Sequence, residues 1–362
     1  MRGPSPKPTI LEIKPYQAGK AKAAGFEAPI KLSANENALG CSAGARAAYL
    51  AAANDLHLYP DPKGAALCDA IAHKHDLDPA RIVLGAGSDE VFSLICQTYL
   101  SSGDTMVQPQ FAFAAWAIAA KAAGAKVISA PEHDYHVDVD ALLARVEATT
   151  RVVFIANPAN PTGTAIPFAD IERFHRALPP RVVLVLDAAY AEFAEADAGY
   201  EDGLRLARTA QNVVLTRTFS KLHGLAALRV GWGYAAAPII DALNRIRLPF
   251  NTSSGGQAAA VAALNDDAFV KRSLALVREG RPRLERMLGA AGLRTLPSAA
   301  NFVTALAPSA AAAQSLEQGL AARGILVRGL GAYDMPNAIR VTIGDDRQME
   351  ALERALSALT SA

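Results

Sequence analysis

Cysteine is scarce in this 362-residue chain, and the three present, Cys41, Cys68 and Cys96, show no Cys-x-x-Cys spacing. An odd number without that spacing argues against a disulfide framework or a zinc site. It favours reduced thiols, and with them the cell interior and a cytoplasmic location. Charge of one sign is also lacking: 36 Lys and Arg against 35 Asp and Glu leave a formal net charge of +1. A polyanion-binding face needs a basic excess, so nucleic acid is not expected as a partner. No run of 18 apolar residues occurs, and the N-terminus to Tyr16 holds three prolines before Lys14 and no apolar signal core, so neither export nor membrane insertion is expected. Histidine clusters are missing too. His73 and His75 point different ways on an expected helix, and His133 and His136 fall in an expected loop, so no metal site is expected.

What is present is an ordinary globular composition, 51% apolar and 20% charged, over a length that suits two domains of ~150 residues or more. Residues 1–40 are irregular and rich in Pro, Gly and Asn, which reads as an extended arm of the kind that reaches a partner subunit. Strands are expected at 81–84, 104–108, 125–129, 152–156, 182–186 and 212–215. Helices are expected at 64–74, 91–99, 111–123, 139–146 and 171–178. Strands apolar on both faces belong to a parallel sheet covered by helices, so a large doubly wound α/β domain is expected over 41–264. A continuous helix from 257 to 291 would lead into a smaller α+β domain over 265–362, with residues 1–40 as the arm and part of that domain.

Four segments follow expected strands and would meet at one sheet edge: Gly85 to Asp89, Asn160, Asp187 to Tyr190, and Ser220 with Lys221. Gly85-Ala86-Gly87-Ser88-Asp89-Glu90 joins a strand to a helix, so its free N–H groups and the helix dipole suit an anion; capping by Ser88 or Asp89 is compatible with that. A dinucleotide fingerprint is discounted, because the third glycine is missing. Lys221 reads either as a surface lysine after a strand or as an amine drawn out of water. In the second case its pKa falls, and a neutral amine can condense with an aldehyde cofactor such as pyridoxal phosphate (PLP). Ser220 and Arg229 would then hold a phosphate.

Asn160-Pro161-Thr162-Gly163, Asp187-Ala188-Ala189-Tyr190 and Thr218-Phe219-Ser220-Lys221 through Arg229, in that order and spacing, resemble the PLP-dependent aminotransferases of fold type I. The resemblance runs from about Leu32 to the C-terminus. Several stretches are similar to histidinol-phosphate aminotransferases in particular: Lys14-Pro15-Tyr16-Gln17, Ser33-Ala34-Asn35-Glu36, Leu58-Tyr59-Pro60, Gly85 to Glu90, Val327-Arg328-Gly329-Leu330-Gly331 and Ile339-Arg340-Val341-Thr342-Ile343-Gly344.

The resemblance implies a mostly parallel seven-stranded sheet, PLP as cofactor and a homodimer with shared active sites. It implies that Lys221 holds the cofactor and moves the proton. Asp187 faces the pyridine nitrogen, Asn160 and Tyr190 reach the phenolate oxygen, and Phe111 stacks on the ring. Gly87, Ser88, Asp89, Thr218, Ser220 and Arg229 surround the phosphate, with Tyr59 arriving from the other subunit. Arg328 and Arg340 take the substrate's phosphate or carboxylate, with Asn35, Tyr16 and Lys20 closing the pocket. The implied reaction converts histidinol phosphate and 2-oxoglutarate to imidazole-acetol phosphate and glutamate. An aromatic amino-acid aminotransferase, a PLP lyase such as a threonine-phosphate decarboxylase, and a PLP-binding regulator remain alternatives. Two departures bear on substrate choice: Ala188 stands where the family usually has Glu, and Gln110 where Thr is common.

Overall fold

The computed structural model describes residues 3–16, 19–195, 197 and 199–360; Gln17 of the arm motif lies outside them. The arm carries β1 (Ile30–Lys31). β2 (Ile82–Ala86), β3 (Thr105–Pro109), β4 (Lys126–Ala130), β5 (Thr150–Ala156), β6 (Val183–Asp187), β7 (Val213–Thr218) and β8 (Val230–Ala235) form one sheet, ordered β2-β8-β7-β6-β5-β3-β4. Only β8 runs antiparallel to its neighbours. The chain then adds β9 (Arg294–Thr295), β10 (Phe302–Leu306), β11 (Ile325–Leu326), β12 (Arg328–Gly329) and β13 (Ala338–Thr342). Four of these make an antiparallel sheet, β12-β13-β10-β9, while β11 pairs in parallel with β1 of the arm.

Strand alternation explains why the large sheet is covered twice. Val153, Ile155, Leu184 and Leu186 enter one core with helices Ala65–His75, Phe168–Ala177 and Ser254–Leu264. Val152, Phe154, Val183 and Val185 enter the other with helices Ser88–Tyr99, Ala114–Ala123 and Ala237–Ile246. Each such side chain, fully buried, contributes about 1.5–3 kcal/mol. A one-residue slip in any strand would exchange the two faces.

Two expectations are corrected and one strand is added. The helix from 257 to 291 is two helices, Ser254–Leu264 and Asp267–Ala290, and the Asp266 side chain caps the second by accepting from Phe269 N–H at 2.9 Å. The first packs in the large sheet's core, and the second supplies Val277, Leu284 and Met287 to the core of the small domain. Gly231-Trp232-Gly233 lies within β8, a strand the sequence pattern hides. The helix expected from Phe111 begins at Ala114, which leaves Phe111 in the preceding loop. No helix of the described residues is long and apolar enough to cross a membrane. Among those residues no group of three or more His, Cys, Asp or Glu could hold a metal ion.

Two histidines sit neutral beside the large sheet. His75 lies 5.5 Å from the Trp232 ring and His223 lies 5.1 Å from Phe219. Burial, then the Arg217 charge, pushes them down to about 3 and about 4. In the unfolded chain both return to ~6.5, so between these values the unfolded state binds more protons. Stability is therefore complete above pH ~6.5 and falls as pH drops toward 4. Urea midpoints at pH 7 and pH 4.5 should differ accordingly, and His223→Leu should flatten the difference.

Candidate active site

The C-terminal ends of β5, β6 and β7 and the turn after β2 open on a cavity of about 140 Å³. Of the expected residues, Ser88, Asp89, Asn160, Asp187, Tyr190, Thr218, Ser220, Lys221 and Arg229 line it. Strand order explains the meeting: β5, β6 and β7 are adjacent and parallel, so the residues that follow them emerge side by side.

Lys221 Nζ donates to the Ala34 carbonyl at 3.3 Å and lies 5.7 Å from the Tyr190 ring centroid. Burial, aided by the Arg340 charge, lowers its pKa to about 8. Asp187, the last residue of β6, accepts from the Ala189 N–H at 3.2 Å. Burial, followed by the Asp89 charge, raises it to about 7. An amine and a carboxyl thus share one cavity, each pushed toward neutrality by desolvation.

The opposite end of the cavity is built for an anion. Helix Ser88–Tyr99 starts there, and Arg229 reaches Ser220 Oγ at 3.3 Å and Asp89 at 3.2 Å. Gly87 has φ +78°, and a Cβ on it would lie 2.3 Å from an Arg229 nitrogen. Gly231 of β8 is as constrained, since its Cβ would lie 2.3 Å from Ser88 N. Sequence reading missed Gly231. Its signal was the Gly-Trp-Gly alternation, which lets β8 run against the helix start and weakens the strand pattern at the same time.

Hydrogen-bond direction identifies the free donors. Arg340 can only donate, and it donates to Asn160 Oδ1, so the Asn160 NH₂ is left to point elsewhere. Asn35 accepts from the Thr342 hydroxyl at 3.3 Å and donates to the Tyr190 oxygen at 2.9 Å, which leaves the Tyr190 O–H as a donor. Asn35 is buried with φ +56°.

Other expected residues lie outside this cavity. Phe111 stacks on Tyr135 with ring centroids 5.4 Å apart; Phe113, two residues on, lines the cavity beside Tyr190. The late helix start accounts for the difference. Arg328 and Arg340 are buried partners across β12 and β13. Arg340 also donates to the Ser33 carbonyl at 3.2 Å, so arm, small domain and large domain meet on one guanidinium. Tyr16 and Arg328 line a second cavity of about 550 Å³ with Tyr333, Gln108 and Gln110. Burial, then Tyr333, raises the Tyr16 hydroxyl, with the charges of Arg328 and Arg340 opposing. Lys20 instead forms a 3.0 Å ion pair with Glu317. Tyr59 is 82% exposed and stacks on Phe250 at 4.5 Å, in a separate surface cavity. Ala188 is buried in the large-domain core and does not line the 140 Å³ cavity, so that departure falls on packing.

The donor set fits a flat phosphorylated aromatic aldehyde. It offers an amine for the carbonyl carbon, a carboxyl for a ring nitrogen, two donors for a ring oxygen and a cationic cup for the phosphate. A site of this kind on this sheet defines a cofactor-dependent group-transfer enzyme. The chain belongs to the class I and II aminotransferase family, whose model matches residues 27–359.

Among relatives, histidinol-phosphate aminotransferase 1 of Caulobacter vibrioides is 53% identical over 97% of this chain and 98% of its own. The histidinol-phosphate aminotransferase of Maricaulis maris is 45% identical over 99% of each. A crystal structure of histidinol-phosphate aminotransferase from Sinorhizobium meliloti in complex with pyridoxal-5'-phosphate superposes with a TM-score of 0.90. It is 30% identical and covers 97% of this chain and 96% of that one.

The desolvated lysine is open to direct measurement. Cyanate carbamylates only neutral amines, so in protein freed of bound small molecules the rate at Lys221 should rise with pH to a midpoint near 8. A short lysine peptide added as a reference should give a midpoint of ~10.4. Peptide mapping of the carbamylated sites reads both, and a Lys221 midpoint above 10 would contradict the desolvation argument.

Proposed function

We propose that this chain is a PLP-dependent histidinol-phosphate aminotransferase that converts histidinol phosphate and 2-oxoglutarate to imidazole-acetol phosphate and glutamate. The observation that carries the reading is the enclosure of a neutral-prone amine and a buried carboxyl in one cavity, beside a buried arginine. Full-length identity to enzymes of that name supports the choice of substrate. PLP, when bound, supplies an electron sink for the carbanion at the substrate α-carbon.

Lys221, Asp187, Asn160 and Tyr190 would hold the cofactor's ring end. Gly87, Ser88, Asp89, Thr218, Ser220 and Arg229 would hold its phosphate, and the 111–113 loop would supply an aromatic wall. The Asp187 carboxylate keeps a ring nitrogen protonated, and a bound cation there opposes the burial that raises its pKa. Lys221 Nζ, near neutrality, takes the proton from the substrate α-carbon and later returns one. Arg340, already turned toward Asn160, orients a carboxylate or phosphate while Arg328 shares that charge, and Asn35 and Tyr16 close the pocket.

The same reading includes a homodimer. Leu56, Leu58, Tyr59 and Leu248 are more than half exposed, an apolar surface that a second copy would cover. Tyr59 would then reach the partner's cofactor phosphate.

Product assays with a donor panel test the reaction. Histidinol phosphate should exceed phenylalanine and tyrosine at equal concentration, and phosphothreonine should release no carbon dioxide. A charge-assisted bond contributes ~1.5–3 kcal/mol, so Arg328→Ala should lower kcat/KM for histidinol phosphate by about 10- to 100-fold and cost unphosphorylated histidinol less. Mixing inactive Lys221→Ala with an inactive Tyr59 variant should restore part of the activity through hybrid dimers. No recovery after verified subunit exchange would mean that each site is built from one chain.

A further inference from the structure

Residues 131–138, between β4 and helix Val139–Leu143, fold back as a hairpin that the reaction described above does not use. His133 and His136 exchange both backbone hydrogen bonds, at 3.1 and 3.0 Å. The two residues between them, Asp134 and Tyr135, have φ of +44° and +64°. Glycine and asparagine are the usual residues at such positions, because a larger side chain is strained there. A tyrosine held in that conformation calls for a compensating contact.

Tyr135 has contacts of three kinds. Its ring stacks on Phe111, with an interplanar angle of 24°. Its carbonyl accepts from Thr164 Oγ1 at 3.0 Å, and Thr164 in turn closes the loop that carries Asn160, since the Ala159 N–H donates to the Thr164 carbonyl at 2.8 Å. The Arg294 guanidinium of β9 lies over its ring, 5.6 Å from the centroid, and the same guanidinium meets Asp134 at 3.1 Å. Three residues before Tyr135, Glu132 Oε1 accepts the Phe111 N–H at 2.9 Å, while Oε2 is buried without a hydrogen-bond partner among the described residues. Burial pushes this carboxyl up to about 7, and the Phe111 amide opposes that rise.

Two loops that border the cofactor cavity therefore end on one strained hairpin, which the small domain also grips. We propose that Tyr135 is a positioning residue that fixes the Phe111–Phe113 loop and the Asn160 loop relative to each other and to the small domain, and so sets the cavity's aromatic and amide walls. The inference rests on the reading of that cavity as the PLP site.

The test compares Tyr135→Leu with Tyr135→Phe in purified holoenzyme. Leucine and phenylalanine both meet the strain at φ +64°, so the contrast isolates the aromatic ring. The Tyr135 hydroxyl takes part in none of the contacts above. Loss of a stacked pair should speed cofactor release by about 3- to 10-fold, change the visible circular dichroism of the bound cofactor and lower kcat more than it raises KM. The phenylalanine variant should match the parent protein in all three. Glu132→Ala, which frees the Phe111 amide, is the second variant and should move the same readouts in the same direction. If the leucine and alanine variants unfold at lower temperature yet keep the parent's dichroism, cofactor release and kcat, the hairpin only stabilises the fold and the inference fails. Parent protein that binds no PLP at Lys221 would instead overturn the cofactor reading itself.

Discussion

Desolvation at the end of the central strands is the constraint on which the rest of the site depends. Asp187 and Thr216 are paired in register on β6 and β7, and Lys221 follows three residues after β7 ends. The sheet is closed on both faces by packed helices, so groups at its edge have little water to face. Burying a charge without a partner is costly, and here the amine donates to a backbone carbonyl while the carboxyl accepts from the Ala189 N–H and faces the Thr216 hydroxyl, with no guanidinium or ammonium bonded to it among the described residues. Both pKa values move toward neutrality in consequence. Reactivity at Lys221 is thus a product of the same burial that builds the core, and a substitution that admitted water would weaken both.

Hydrogen-bond direction carries this order outward. Arg340 cannot accept, so its contact with Asn160 fixes which end of the amide is free; the chain from Thr342 through Asn35 does the same for the Tyr190 hydroxyl. Thr342 and Arg340 both stand on β13, and Asn35 is supplied by the arm. Small domain and arm therefore determine the donor pattern of a cavity whose walls belong mainly to the large domain. Changes in their relative placement would alter hydrogen bonding in the cavity before they altered its shape.

The large sheet was legible in the sequence because its parallel strands are apolar on both faces, which is what covering by helices demands. β8 was not legible, since Gly231 and Gly233 erase the pattern where the helix Ser88–Tyr99 leaves no room for a Cβ. The cup residues Ser88, Asp89 and Ser220 could be named because each follows a strand or opens a helix, and Arg229 because it stands eight residues beyond Lys221. The late start of the helix at Ala114, which puts Phe111 in a loop, was not legible, because helix ends are weakly encoded. Tyr59 illustrates a different limit. Its expected partner lies on a second copy of the chain, and no pattern within one chain records what an exposed ring will meet. Tyr135 lacked a sequence signal altogether, because a tyrosine in a left-handed turn looks like any loop aromatic.

Backbone strain follows the same map. Besides Tyr135 in the hairpin, two non-glycine residues at positive φ belong to the site: Asn35, which orients Tyr190, and Arg229, which closes the anion cup. Each pays ~1 kcal/mol or more relative to an ordinary conformation, and nothing local in the sequence requires it. For Arg229 the reason is directional. It follows the short helical turn Ala226–Leu228 and precedes β8, and its guanidinium reaches both Ser220 and Asp89 from there. Glycine would relieve the strain and remove the cation, whereas lysine would keep the charge and lose the fork that spans the two partners. The left-handed conformation at this position is therefore held against a local energetic cost by the packing of β8 beneath the cup, and the function of the arginine depends on that packing.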